Sequence, residues 1–393
     1  MKVLCVFGQH NYGDPARGES PEYSSFLPAL RRLGHDVQHF ETWNRGAYND
    51  LAELNAALLN TVEVFRPDVL FSVPMHYEVW LETLAAIRAR GDVATVSWST
   101  DDSWKYREVS RFIGHAYDAM ATTYDYVVDQ YKADGIEHVI LTQWAAPSQS
   151  LQAPLPAAEC RYQVSFVGTA HGSRPQWIEA LRSRGIEVVC FGYGWPNGPV
   201  DGAEIGAIIR GSVISLNFAN SQSENQIKAR TFEVPGAGGF LLTESAPSMD
   251  IFYQPGKEIA IYDDLDDLAT KINHYLAHPE LRDAIARAGF ERTAREHTYE
   301  HRLTELLAFT QAAARKRSAQ PRAVHFDEAV SRHALTPMLR GIRDILKYLA
   351  IRRFGSRRGP RAARRLVYEL SWRLAGRKTF TASGWPGRMF PHD

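Results

Sequence analysis

Apolar residues in the first 145 positions fall into short runs separated by longer stretches in which they recur every three or four positions. The runs Val3–Phe7, Asp36–Phe40, Val69–Val73, Ala94–Trp98, Ala119–Thr122 and His138–Leu141 have the length and β-branched content of strands. The stretches Ser20–Leu33, Ala47–Phe65 and Val79–Arg90 have the periodicity of amphipathic helices. Strand and helix in alternation predict a doubly wound parallel sheet. From Ala145 to Ala158 the sequence turns rich in Pro, Ala and Gln, and residues 146–160 read as a linker. The alternation then restarts with strands Tyr162–Gly168, Glu187–Phe191, Ser212–Asn217, Phe240–Thr243 and Glu258–Tyr262. Helices are predicted at Pro175–Arg184, Gly202–Arg210, Leu265–Ala277 and Pro279–His297. The expected class is α/β. It has two Rossmann-like domains, 1–145 and 161–312, facing a cleft at the carboxyl ends of their strands. No repeat at solenoid periods interrupts this reading.

After Gln311 the pattern changes. Leu335, Met338, Leu339, Ile342, Ile345, Leu346 and Leu349 lie at helical spacing, with Arg340, Arg343 and Lys347 off that stripe. A second basic helix, Arg361 to Leu374, sets Leu366, Val367, Leu370 and Leu374 against four arginines. Residues 313–393 therefore read as a basic helical extension. Net charge is zero overall, yet this extension holds 19 Lys/Arg and 5 Asp/Glu, about +14, and the rest of the chain is correspondingly acidic. Such a tail has three readings: packing on the acidic body or in an oligomer, docking on an anionic membrane surface, or holding a partner. Nucleic acid is disfavoured. No stretch approaches the ~20 apolar residues of a membrane span, and Met1–Gly8 reads as a strand and not a signal peptide. Cys5, Cys160 and Cys190 lack metal or disulfide spacing. Free thiols in the cytoplasm are expected, with peripheral association at the inner membrane face as a possible location for a basic tail.

The segment RTFEVPGAGGFLLTE, Arg230–Glu244, puts a cation and a carboxylate just ahead of a chain break and an apolar strand. Upstream, Ser221-x-x-Glu224 and Ser223-x-x-Gln226 are overlapping capping boxes, predicting a helix from there to about Val234. Its N-terminus would follow strand Ser212–Asn217 directly and face the cleft as a phosphate site, with Lys228 and Arg230 adding charge. Pro235 and the glycines from Gly236 to Gly239 end the helix; they would either make a tight turn or admit a ligand.

Three segments carry a resemblance: VSFVGTAHGSRPQWIEALRSRGIEVVCFGYGW, ARTFEVPGAGGFLLTE and HPELRDAIARAGFERTAREHTYEHRL. Covering most of residues 160 to 305, they resemble the retaining GT-B glycosyltransferases, in particular the CgeB-like group with its family 1/4-type donor domain. GESPEYSSFLPALRRLGHDVQHFE and VSWSTDDSWKYR extend the likeness loosely to the N-terminal half. The resemblance implies transfer of a sugar from a nucleotide-diphosphate sugar, a UDP-sugar foremost, to an acceptor hydroxyl, with retention. It implies no metal and no other cofactor. In that family the second glutamate of an E-x7-E motif holds the ribose and precedes a glycine; Glu233 and Gly238 fall there. The first glutamate, near the sugar, belongs at Asn225, and the available carboxylate is its neighbour Glu224. The loop after the domain's first strand carries diphosphate-binding cations. Here it begins at Gly168 and offers Arg174, with Arg230 as replacement for a second cation. Phe191 to Trp195, including Tyr193, falls where the nucleobase packs. His76 either lies near where relatives present a histidine to the sugar or is a satisfied loop histidine, and Gly8 opens a polar loop that would either cover the donor phosphates or be a plain surface loop.

Asp101 and Asp102, after strand Ala94–Trp98, are candidates for accepting the acceptor hydroxyl's proton if the enzyme inverts. They could equally cap a helix Ser103–Phe112. Trp98, Trp104 and Tyr106 could stack on a sugar or belong to the core. Acceptors in view are saccharides, lipid-linked or protein acceptors and small molecules. The rival readings are a catalytically silent module of the same fold that binds a nucleotide-sugar or scaffolds an assembly, and a nucleotide-sugar epimerase. A dehydrogenase is disfavoured because Gly8-Gln9-His10, and no G-x-G-x-x-G, follows the first strand.

Overall fold

A computed structural model of the chain describes residues 1–219, 226–317 and 326–391. Among these, the strands form two all-parallel sheets. The first runs β2-β1-β3-β4-β5-β6, with β1 Lys2–Val6, β2 Asp36–Phe40, β3 Val69–Ser72, β4 Ala94–Ser99, β5 Ala119–Thr122 and β6 Val139–Leu141. The second runs β11-β10-β9-β7-β8, with β7 Tyr162–Val167, β8 Val189–Phe191, β9 Ser212–Asn217, β10 Leu241–Glu244 and β11 Ala260–Tyr262. Inner strands β3 and β4 are buried at every residue, as expected where helices cover both faces, whereas the edge strand β2 alternates. Helices start where an aspartate can take the first free N–H groups. Asp50 accepts from Glu53 at 3.0 Å, Asp201 from Glu204 at 2.9 Å, and Asp264 from Asp267 at 2.8 Å.

Met1–Thr142 together with Leu303–Asp393 make one unit, and Gln143–Arg302 the other. The boundaries drawn from sequence are shifted by two physical facts. The Pro-rich stretch is not a free linker: Ala145 and Ala146 are buried, Ala146 donates to His297 at 2.9 Å, and Gln152 donates to Gly236 at 3.0 Å. It is a strap laid on the second unit. The basic extension, in turn, belongs to the first unit. Arg317 reaches buried Asp118 at 2.5 Å and the carbonyls of Arg88 and Val93. His333 lies 4.8 Å from the Trp80 ring, and Phe380 stacks on Phe112. Of the readings for the tail, packing on its own chain is the one realised over these residues. Among the described residues no helix is long and apolar enough to cross a membrane.

Two local expectations differ. The helix predicted over Ser20–Leu33 opens with a π-helical turn, Glu22–Phe26, ahead of Leu27–Arg32. Ser103–Phe112 is likewise divided, with α-helical Asp102–Lys105 followed by a π-helical turn at Tyr106–Ser110. Glu22 and Ser25 are buried in the first of these turns, and Glu108 and Ser110 in the second.

Candidate functional site

In the second unit a cavity of about 430 Å³ opens at the carboxyl ends of β7 and β9. It is lined by His171, Arg174, Asn217, Ala219, Lys228, Ala229, Arg230 and Glu233. Three parts of the chain meet there for identifiable reasons. The loop after β7 carries His171 and leads into helix Arg174–Ser183. Asn217 ends β9, where its amide donates to Thr243 at 2.9 Å and its carbonyl accepts from Tyr262 at 2.9 Å. Lys228 to Glu233 enter and begin the short helix Arg230–Gly236, whose Phe232 is fully buried and anchors it from behind.

Arg174 is the framing cation. Its Nη1 donates to the Thr169 carbonyl at 3.1 Å and its Nη2 to that of Phe218 at 2.9 Å, tying the β7 loop to the end of β9. The buried Nε has no hydrogen-bond partner among the described residues. Burial pulls its pKa down from the ordinary arginine value, with the neighbouring Glu244 carboxylate opposing. His171 is held below its ordinary value by burial and then by Arg174. Arg230 and Glu233 form an ion pair at 2.6 Å, and their side chains remain 27% and 30% exposed. This is the pair that opens the motif. Both side chains line the cavity.

The residues expected at a donor site thus divide. Arg174, Lys228, Arg230 and Glu233 come together. Glu224 and Asn225 lie outside the described residues, as do both capping boxes apart from Gln226. The expected long helix is corrected: the helix here begins at Arg230 and has seven residues, and Gln226–Lys228 ahead of it have no regular secondary structure. The start of this short helix, Ala229 and Arg230, lines the cavity, with Lys228, Arg230 and Arg174 bringing positive charge. Gly238 is corrected as well. At φ +79° a Cβ there would meet the Gln152 carbonyl oxygen at 2.5 Å, so this glycine makes room for the strap and not for a ligand. Gly168 serves a seam: its carbonyl accepts from the Trp195 indole at 2.8 Å, and a Cβ would meet the Phe166 ring at 2.8 Å. Tyr193, 62% exposed, is not among the residues lining the cavity. Sequence reasoning passed over Asn217, Ala219 and His171 as lining residues; a polar side chain ending a central strand was the available signal.

The candidates in the first unit occupy a different setting. Asp102 is buried and accepts from Ser99 at 2.5 Å, Ser110 at 2.7 Å and Tyr131 at 2.8 Å, while burial pushes its carboxyl up from the ordinary value. Asp101 accepts from the Trp104 indole and Ser103, both at 2.7 Å, and from Tyr124 at 2.9 Å. Neither side chain caps the helix; Asp102 is buried, whereas Asp101 is partly exposed. Asp102 is corrected to a structural carboxylate, and Asp101 is tied to its own helix and to Tyr124. Lys105, also buried here, donates to the Pro74 carbonyl at 3.0 Å, and burial lowers its pKa. The ring of His76 packs edge-on to Tyr368 at 5.1 Å and near Trp104. At Gly8 a Cβ would meet the Trp43 indole at 2.4 Å, which accounts for glycine there by packing. Trp98 and Tyr106 are core, Trp98 stacking on Phe26 at 4.9 Å.

Residues 174–308 match the model of a family described as glycosyl transferase-like. No curated protein matches the chain. Among solved structures, sucrose-phosphate synthase from Thermosynechococcus elongatus is similar with a TM-score of 0.57 at 10% identity, over 80% of this chain and all of that one. A glycosyltransferase from Rickettsia africae gives 0.55 at 11% identity, over 81% and 99%. Anabaena HepE, solved in complex with UDP and glucose, gives 0.54 at 12% identity, over 78% and 99%.

The chain has the GT-B fold. In that fold, as in other open α/β sheets, the carboxyl ends of the strands are where ligands bind, and the cavity described above sits there. The family match begins at the framing Arg174 and takes in Asn217, Lys228, Arg230 and Glu233.

Proposed function

We propose that the chain is a glycosyltransferase that moves a sugar from a nucleotide-diphosphate sugar to an acceptor hydroxyl, with retention and without a metal. The observation that carries this reading is the cavity in which Arg174, Lys228 and Arg230 surround a half-exposed Glu233. A diphosphate bound there meets three cations in a partly dehydrated site, where they stabilise a leaving phosphate far better than water does. Release of Arg230 to that phosphate frees the Glu233 carboxylate for the two hydroxyls of a ribose, a strong charge-assisted contact. Attack on the face the diphosphate vacates needs leaving-group stabilisation more than a strong base. The buried, hydrogen-bonded Asp102 is consistent with that. UDP is the first nucleotide to test, because HepE, which shares the fold, was solved with it.

The test is calorimetric titration of UDP, GDP and dTDP into the purified chain and into Glu233→Ala. One diphosphate should bind, and the substitution should weaken it about a hundredfold, the effect of ~1.5–3 kcal/mol expected for a hydrogen bond to a charged group. Binding of none of them, or unchanged binding by the variant, would overturn the donor site. Slow release of free sugar from the matching donor would then separate a transferase from a silent binding module.

A further inference from the structure

The C-terminal hairpin has two arms with different surroundings. The run Pro337–Ala375 is helical except at Gly355, whose φ of 80° and ψ of 166° fold it back on itself. The second arm is bound to the first unit. Its Tyr368 hydroxyl donates to the Glu108 carbonyl at 3.1 Å, its Arg365 pairs with the Glu108 carboxylate at 3.1 Å, and Tyr368 packs on Tyr77. The first arm, 337–354, rests on the second through Leu339, Leu346 and Ala350, which pack around Ala363, Val367, Met389 and Phe390.

One face of the first arm is used up in that contact. The flank next to it, about a quarter-turn round the helix, carries Met338, Ile342, Ile345 and Leu349, which fall on a single stripe at helical spacing and are 70%, 43%, 61% and 55% exposed. Phe354, at the bend, is 53% exposed. Beside it stand Arg352, Arg353, Arg357, Arg358 and Arg361, all exposed. The hairpin's ion pairs engage Arg343, Arg365 and Arg373, and these five arginines form none among the described residues. Over 337–375 the sequence has 11 Lys/Arg against 2 Asp/Glu.

We propose that the first arm and the bend form a docking surface for a bilayer with anionic headgroups, the arm lying flat at the interface. Charge decides between the occupants of such a stripe. A second copy would bring two strongly basic surfaces together, which like-charge repulsion opposes. A nucleic acid would satisfy the arginines and leave Ile342, Ile345 and Leu349 in water. An anionic bilayer takes both features at once, apolar side chains at the acyl boundary and guanidinium groups among the phosphates. The arm would be peripheral, in keeping with the absence of a membrane-crossing helix among the described residues.

The experiment is flotation of the full chain with vesicles of phosphatidylcholine alone and of phosphatidylcholine mixed equally with phosphatidylglycerol. The chain should float with the anionic vesicles, not with the neutral ones, and salt should weaken the association. Each arginine near an anionic surface strengthens binding about fivefold. Replacing Arg352, Arg353, Arg357 and Arg358 by Gln should therefore reduce partition by several hundredfold, on the order of the product of the four. Ile345→Ser with Leu349→Ser should reduce it about a hundredfold. These side chains are exposed and outside the packed cluster, so an unchanged melting profile shows that the fold is intact. Equal flotation with neutral vesicles, or none with either, would overturn the proposal. Self-association that Ile345→Ser abolishes, without vesicle binding, would assign the face to a second copy. Retarded migration of a DNA duplex without vesicle binding would assign it to nucleic acid. The readout is binding alone, so it stands or falls independently of sugar transfer.

Discussion

At the end of β4, Asp101 and Asp102 are enclosed by hydroxyls and an indole, with buried Lys105 three residues on. At the end of β9 and the start of the following helix, Arg230 and Glu233 are paired with each other at the mouth of a cavity. Both sites place charged residues at the carboxyl end of a parallel sheet, and both invite a functional reading from sequence. What separates them is saturation. A buried carboxylate such as Asp102, held by three donors, is not presented to a substrate, and the donors would be stranded if it turned away. A half-exposed pair can exchange partners at little cost, since such surface pairs contribute only ~0–1 kcal/mol.

The largest effect that would break this comparison is in the first unit. Asp102→Ala should lower unfolding free energy by about 3–5 kcal/mol, because it leaves Tyr131, Ser99 and Ser110 short of their acceptor in a buried setting. Arg230→Ala should cost about 1 kcal/mol or less. Urea denaturation of both variants measures the contrast. If Asp102→Ala were nearly as stable as the parent, its network would not be structural, and a role in chemistry would return to consideration.

A somewhat smaller effect concerns the seat of the site helix. His297 packs edge-on to Phe232 at 5.4 Å; its Nε2–H donates to the Phe252 carbonyl at 2.7 Å, and its Nδ1 accepts from Arg302 at 3.1 Å. Burial, opposed by the Phe252 carbonyl and joined by the Arg302 charge, lowers its pKa from 6.5 to about 4. The fold therefore favours the neutral ring. Between pH 6.5 and 4 the unfolded chain binds the proton that the folded chain refuses. The stability due to His297 is thus complete above pH 6.5 and is lost as pH falls toward 4, by up to about 3 kcal/mol. Stability of the chain measured against pH, with His297→Gln as reference, should show this slope in the parent and lose it in the variant. A variant with the parent's slope would remove His297 from the account.

Much of the fold was legible because β-strands and helices in a doubly wound sheet announce themselves by apolar period and length. Strands Asp36–Phe40, Ala119–Thr122 and Ser212–Asn217 coincide with their expected limits. The site was legible in its chemistry and not in its packing. Arg230 and Glu233 could be picked out because a charged pair ahead of a chain break is uncommon. The roles of the glycines could not, since what a glycine leaves room for is set by segments distant in sequence. Gly236 meets Ala146, Gly238 meets Gln152, and Gly289 meets the Glu258 carbonyl. The saturation of Asp102 was equally hidden, because its three donors come from Ser99, Ser110 and Tyr131 across a π-helical turn that periodicity does not anticipate.

Gly238 gives the smallest and most discriminating effect, because it splits the segment Arg230–Glu244 into a half that faces the cavity and a half that faces the strap. If the glycine admitted a donor, Gly238→Ala would reduce diphosphate binding and leave stability alone. The geometry says the opposite: a methyl group at φ +79°, 2.5 Å from the Gln152 carbonyl oxygen, strains the backbone and displaces the strap. The expected loss is about 2 kcal/mol in unfolding free energy. The retained cavity pair Arg230–Glu233, which has no contact with the strap carbonyl, should bind the diphosphate within about twofold of the parent, a change too small to count against ~1.4 kcal/mol per tenfold. Denaturation and calorimetry on the same preparation decide it. A stable Gly238→Ala that no longer binds would return the glycine to the donor site and weaken the division drawn between saturated and exchangeable charge at the ends of the two sheets.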